Sequence, residues 1–193
     1  MVRKSENYQN KINKFNQKKI SRSSVLILGD SRFEKVFTKI SNEVNLSVGG
    51  ETAKSLSNRI LPYNFKDSIN IILGIGINDL LFSYQRSKIL KNLDNLIHLI
   101  LKKTNHSTLY LCKILPINAT GFFFKKVKIN NDLKIINSFM ENLIVNTNNN
   151  DKKVIDFNDL IGFDDSLLFS DDGIHLNKEG ISIMNNTIIK SLK

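Results

Sequence analysis

The sequence predicts an α/β fold: a three-layer α/β/α domain built on a parallel sheet of five strands. Three observations predict it. Short apolar runs of four or five residues alternate with segments whose apolar residues recur at helical spacing. That alternation requires crossover connections, hence parallel pairing with helices on both faces. The polar, glycine-containing motifs follow the C-terminal ends of the apolar runs or sit in the last loop, the edge of an open α/β sheet where ligands bind.

Taken in order, residues 1–20 are polar, with Tyr8, Ile12 and Phe15 in a weak helical stripe, and read as an N-terminal helix or arm. Val25–Leu28 is the first strand, and it stops at Gly29, Asp30 and Ser31. Arg32–Ile40 has no Gly or Pro, and Phe33, Val36, Phe37 and Ile40 recur at helical spacing, so a helix is expected with Ser31 at its N-terminus. Its dipole would then favour negative charge beside Ser31. Asn45–Val48 is a short second strand ending at Gly49-Gly50, and Thr52–Ile60 a helix that stops before Pro62. Ile69–Leu73 is the third strand. Ser87–Lys103 is the clearest helix, with Ile89, Leu90, Leu93, Leu96, Ile97, Ile100 and Leu101 on one stripe. Thr108–Cys112 is the fourth strand, Lys126–Val145 a long helix, Val154–Phe157 the fifth strand and Lys178–Leu192 the closing helix. Asn146–Asp151 reads as a turn.

Length and composition bound the answer. The 193 residues suit one domain, 24–193, preceded by a basic arm over 1–23. Hydrophobic residues make up 41% and charged residues 24%, ordinary for a soluble globular chain. No apolar run reaches the roughly 20 residues that span a bilayer, and no secretory signal is visible, so a cytoplasmic location is expected. The arm holds seven basic side chains against Glu6, which is +6 of the total +10. Such an arm could touch an anionic surface, or simply be solvated; no nucleic-acid partner is expected. Cys112, the sole cysteine, lies in an apolar run and reads as a buried thiol.

Several residues carry chemistry. Ser31 could be a helix N-cap or a nucleophile, and a serine hydroxyl needs a base to become one. His175, three residues after Asp172, could be a surface histidine or that base. Asn78 could cap a helix or donate to a developing oxyanion without carrying charge. Glycine at 50 would let the backbone approach such an oxyanion. Asp79 could support its loop, and His98 and His106 have no such context and are expected to be solvated.

Four blocks then come together in order: Gly29-Asp30-Ser31-Arg32, Gly49-Gly50-Glu51-Thr52, Gly76-Ile77-Asn78-Asp79 and Asp172-Gly173-Ile174-His175. Together they resemble the SGNH hydrolases, the GDSL esterase/lipase superfamily, over residues 29–175. The resemblance implies a flavodoxin-like strand order. It implies Ser31 as nucleophile, His175 as general base and acid, and Asp172 as the group holding the imidazole. It implies an oxyanion hole from the backbone N–H of Ser31, the backbone N–H of Gly50 and the side-chain amide of Asn78. There are departures: Ile77 stands where a small polar residue is common, and Arg32 puts a large cation beside the nucleophile. Arg32 would either favour an anionic or polyhydroxylated substrate or point to solvent.

Gly121-Phe122-Phe123-Phe124 follows the fourth strand, and Phe122 and Phe123 could line an acyl pocket or lid, or pack onto the domain. Asp159, Asp164, Asp165 and Asp171 match no EF-hand spacing and no zinc pattern, so no metal is expected. Gly74-Ile75-Gly76 lacks the third glycine of a dinucleotide fingerprint, and no cofactor is expected. The resulting expectation is a serine esterase acting on small-molecule or carbohydrate esters, with a short acyl group suggested by the compact chain. Two alternatives stay open: an O-acyltransferase using the same site on a carbohydrate acceptor, and a non-catalytic module docking through the basic arm and the Phe122–Phe124 loop. Oligomeric state is not readable.

Overall fold

A computed structural model of the chain describes residues 10, 12, 13, 15, 23–82, 84–104, 106–119, 123–145, 152–157 and 166–193. Five parallel strands form one sheet in the order β2-β1-β3-β4-β5: β1 Val25–Gly29, β2 Glu43–Asn45, β3 Asn70–Gly74, β4 Thr108–Cys112 and β5 Lys152–Ile155. This is the flavodoxin-like order, and it reverses direction between β1 and β3, where a crevice opens beyond the strand ends. Gly29 pairs with Gly74 in that register, so the loops after β1 and β3 leave the sheet side by side.

The three central strands, β1, β3 and β4, bury both faces, while the edge strands β2 and β5 are only partly covered. Leu26 and Leu28 of β1, Ile71 and Leu73 of β3, and Leu109 and Leu111 of β4 enter one core. Their alternates Val25, Ile27, Ile72, Tyr110 and Cys112 enter the other. Side chains alternate across a pleated strand, so an unbroken apolar run fills two layers. The first core is closed by α1 (Ala53–Ile60), α3 (Arg86–Lys102) and α4 (Phe123–Val145), through Leu56, Leu93, Leu96, Leu133 and Ile136 among others. The second is closed by α5 (Lys178–Ser191), through Met184 and Ile188, together with Phe33 and Val36. A short helix, α2 (Ile77–Leu81), follows β3, and a single 3₁₀ turn spans Ser166–Leu168.

The five expected strands and the helices after β2, β4 and β5 and before β4 recur with ends shifted by a few residues. β2 begins at Glu43 rather than Asn45, although Leu46 N–H and Val48 N–H still donate to the carbonyls of Ile27 and Gly29. Thr52 is the N-cap of α1: its hydroxyl accepts from Ser55 N–H, and Ser55 Oγ accepts from Thr52 N–H.

The expected helix over Arg32–Ile40 does not form. Residues 31–35 make successive turns, with Phe33 N–H donating to Asp30 O and Val36 N–H to Phe33 O. The reason lies in Asn45. Its side-chain amide donates to the carbonyls of both Phe33 and Val36, at 2.8 and 3.0 Å, and ties these turns to the end of β2. Lys39 and Asn42 then take positive φ, closing the return to β2. Ser31 therefore has no helix dipole behind it, and the N-cap reading of Ser31 falls with the helix. Phe33 instead packs over Gly74, where any Cβ would lie 2.0 Å from the ring.

In the N-terminal stretch, residues 10, 12, 13 and 15 are helical, and the Arg59 guanidinium sits 5.8 Å from the centroid of the Phe15 ring. The rest of the arm and the Asn146–Asp151 turn lie outside the described residues. No described helix is long and apolar enough to cross a membrane.

Candidate active site

The loop after β1 delivers Ser31 to the crevice. Its Oγ lies 2.8 Å from His175 Nε2, 144 positions away in the chain. His175 Nδ1 faces Asp172 Oδ2 at 2.5 Å. The other Asp172 oxygen accepts the backbone N–H groups of Ile174 and His175, at 2.8 and 2.9 Å. One carboxylate thus shapes the turn that presents the ring and also binds the ring. Burial raises the Asp172 carboxyl, but the hydrogen bonds from His175 and from these two backbone N–H groups outweigh it and hold it below its ordinary range.

The turn is braced further. Gly173 N–H donates to Ser170 O, Ser170 N–H donates to His175 O, and Phe169 bridges Leu176 antiparallel. Gly173 has φ +63°, and a Cβ there would lie 2.4 Å from the backbone N of Ala119. Only glycine lets the turn sit this close to the segment after β4. Asn118 N–H completes that contact by donating to Gly173 O.

The second and third blocks arrive from β2 and β3. The Gly49-Gly50 turn lies against the nucleophile loop: a Cβ on Gly49 would stand 3.5 Å from Ser31 Cβ. Gly50 has φ +78° with open space where its Cβ would be. Asn78 is inside α2 rather than capping it, since Gly76 holds the N-cap position. It is buried, and its amide donates to the carbonyl of Glu51 at 2.9 Å, which leaves one of its two N–H bonds for another acceptor. Asp79, fully buried, accepts Ala53 N–H at 2.9 Å and so anchors the start of α1. Burial lifts its carboxyl to about 6, against the pull of that hydrogen bond. Burial likewise lifts Asp30 to about 7, although the Arg32 charge and the Arg32 N–H pull it down.

Ser31, Asp172 and His175 therefore converge, while Gly50 sits on the turn after β2 and Asn78 in the first turn of α2. Arg32 does not point to solvent: it is 5% exposed, donates to the carbonyls of Ile174, Leu115 and Pro116, and lines the cleft beside Ser31. Phe122 lies outside the described residues, and Phe123 contributes backbone to the start of α4 with its side chain undescribed. His98 and His106 are both exposed. Cys112 is buried, and burial pushes its thiol well above the ordinary range. Asp159, Asp164 and Asp165 also lie outside the described residues; among those described, no group of three His, Cys, Asp or Glu side chains stands together.

Glu34 escaped the sequence reading. Its Oε1 accepts Gly49 N–H at 2.5 Å, tying the nucleophile loop to the glycine turn. Nothing in its spacing singles it out, because an acid inside an expected helix reads as a solvated side chain. Glu34, Lys35 and Ser170 also line a cleft of about 190 Å³ beside Ser31 and His175.

No family model matches the chain. A curated protein, the N-acylneuraminate cytidylyltransferase of Escherichia coli O18:K1:H7, is 26% identical over 96% of this chain; the chain spans 45% of that relative's length. Among solved structures, a protein from Streptococcus pneumoniae described as a platelet activating factor covers 100% of this chain and 94% of its own, at TM-score 0.77 and 19% identity. A Bacteroides fragilis protein assigned as an acylhydrolase covers 96% and 95%, at TM-score 0.73 and 18% identity. A GDSL-like lipase from Bacteroides thetaiotaomicron covers 97% and 96%, at TM-score 0.70 and 16% identity. At these identities the likeness is one of fold, and that fold is the one the four sequence blocks imply.

Proposed function

We propose that the chain is a serine esterase of the GDSL kind, cleaving carboxylic esters through an acyl-Ser31 intermediate. One observation carries the reading: the unbroken hydrogen-bonded line from Ser31 Oγ through the His175 ring to Asp172, at 2.8 and 2.5 Å. The chemistry follows from it. His175 Nε2 accepts the Ser31 proton as Oγ attacks the ester carbonyl, while the remaining ring N–H faces Asp172, which fixes the tautomer and stabilises the imidazolium. The carbonyl oxygen takes negative charge, and the donors meant for it are Ser31 N–H, Gly50 N–H and the second amide N–H of Asn78. The tetrahedral intermediate collapses: the C–O bond to the alcohol breaks, and the alcohol leaves with the proton from His175. Water then gives a proton to His175, attacks the acyl carbon and releases the acid, and Ser31 regains its proton.

The cleft of about 190 Å³ beside Ser31 supports a short acyl group, being smaller than pockets that enclose drug-sized ligands. On the alcohol side, the relative named for N-acylneuraminate, an acylated sugar acid, supports a sugar ester. The same observation favours a second reading, transfer of the acyl group to a sugar hydroxyl instead of water. Product analysis with and without a polyol acceptor separates the two.

The test is hydrolysis of p-nitrophenyl acetate by wild type and by Ser31→Ala. The proposal expects turnover by wild type and none above background by the variant. Equal rates would overturn it and leave the binding-module reading in its place.

A further inference from the structure

We infer that Arg32 is a positioning residue that sets where the His175 turn sits relative to Ser31; this rests on the esterase reading above. The argument starts from what the guanidinium touches. Nε donates to Ile174 O at 2.8 Å, Nη1 to Leu115 O at 2.7 Å and Nη2 to Pro116 O at 3.0 Å. All three partners are main-chain carbonyls, so the fork measures backbone positions. One of them belongs to the residue immediately before His175.

The other two lie on a fixed reference. The segment after β4 is gripped from its far side by two asparagines of α4, seven residues apart and thus on one helix face. Asn137 bonds both the N–H and the carbonyl of Ile114, at 2.8 and 3.0 Å. Asn130 does the same for Ile117, at 3.0 and 3.0 Å. Between those anchors, the carbonyls of Leu115 and Pro116 turn toward Arg32. Its own backbone is held in turn, because Arg32 N–H donates to Asp30 at 3.0 Å. Arg32 therefore adjoins the nucleophile, stands on a braced segment and reaches from it to the base.

A planar fork of donors spans three carbonyls at fixed angles, which a lysine ammonium on a flexible stem cannot copy. Burying a guanidinium is costly unless its donors are met, so the site holds Arg32 in one geometry. Small misplacement is expensive in such a reaction: roughly 1 Å can cost on the order of 100-fold in rate.

Arg32→Ala is compared with wild type on a p-nitrophenyl ester, with and without added guanidinium at sub-denaturing concentration, alongside amide hydrogen exchange. The expected result is a kcat about 100-fold lower with KM within about threefold, and partial recovery of kcat with guanidinium. Exchange should accelerate at the amides of Ser170, Gly173, Ile174 and His175 while the sheet stays protected. A kcat within about threefold of wild type, or exchange that rises across the sheet as much as in the turn, overturns the inference. Should Arg32→Ala not fold, Arg32→Lys is read the same way, without the rescue. Lack of ester turnover by wild type would count against the esterase reading alone, because exchange reports on the turn without any reaction.

Discussion

The side-chain amide of Asn78 donates to the main-chain carbonyl of Glu51, 27 positions earlier, at 2.9 Å. That bond fixes the amide plane and thereby the direction of its second N–H. It also joins the start of α2 to the block that carries Gly50.

Asn78→Ala is expected to lower kcat about 100- to 1000-fold, roughly 3–4 kcal/mol of transition-state stabilisation, with little change in KM. Loss of the Glu51 bond should cost about 1 kcal/mol of folding stability besides. Steady-state kinetics and a urea titration of the same variant measure both.

Asp172→Asn is expected to reduce kcat about 10- to 1000-fold, less than the roughly 10⁴-fold typical of a buried triad aspartate. The smaller loss follows from its side chain being 46% exposed. The variant should also change acid stability. The folded Asp172 carboxyl is held below its unfolded value, so its contribution is complete at neutral pH and is lost as pH falls through the lowered value. Urea midpoints from about pH 6 to about pH 3 should fall less steeply for Asp172→Asn than for wild type.

Asp79 predicts the opposite slope. Burial raises it from 3.8 to about 6, so between those values the native chain holds a proton that the unfolded chain has lost. Its contribution is present below the unfolded value and disappears as pH rises toward about 6, a change of up to about 3 kcal/mol. Wild type measured against Asp79→Asn should therefore lose relative stability from about pH 4 to about pH 6 and level off above.

Gly50 and Gly173 share a left-handed backbone but differ in room. Gly50→Ala meets nothing within 4 Å and should cost about 1 kcal/mol for the backbone alone. Gly173→Ala adds a collision 2.4 Å from Ala119 N and should cost clearly more, about 2–4 kcal/mol, with a loss of activity as the His175 turn shifts. Thermal melts of the two variants side by side test the difference.

Much of this was legible because it is local. Val25–Leu28 announces a buried strand by composition, and Asp172 and His175 are close enough in sequence to be read as a unit. Parallel order follows from alternation, and the site's place from the strand ends. What stayed hidden depends on partners distant in the chain. The helical stripe after Ser31 is real in sequence, but Asn45 ties the carbonyls of Phe33 and Val36 to the end of β2, and no periodicity reveals that. The contacts of Arg32 are not legible because its acceptors are main-chain carbonyls, which leave no complementary side chain to notice. Glu34 was overlooked for the same reason, since it binds the N–H of a glycine.

The central claim is that Ser31 is the atom that attacks, activated by His175. Peptide mass mapping after treatment with an organophosphonate ester tests it most directly. The account predicts a single covalent adduct on Ser31 that is absent in Ser31→Ala and forms far more slowly in His175→Ala. An adduct on another residue, or labelling of Ser31 at an unchanged rate without His175, would contradict it.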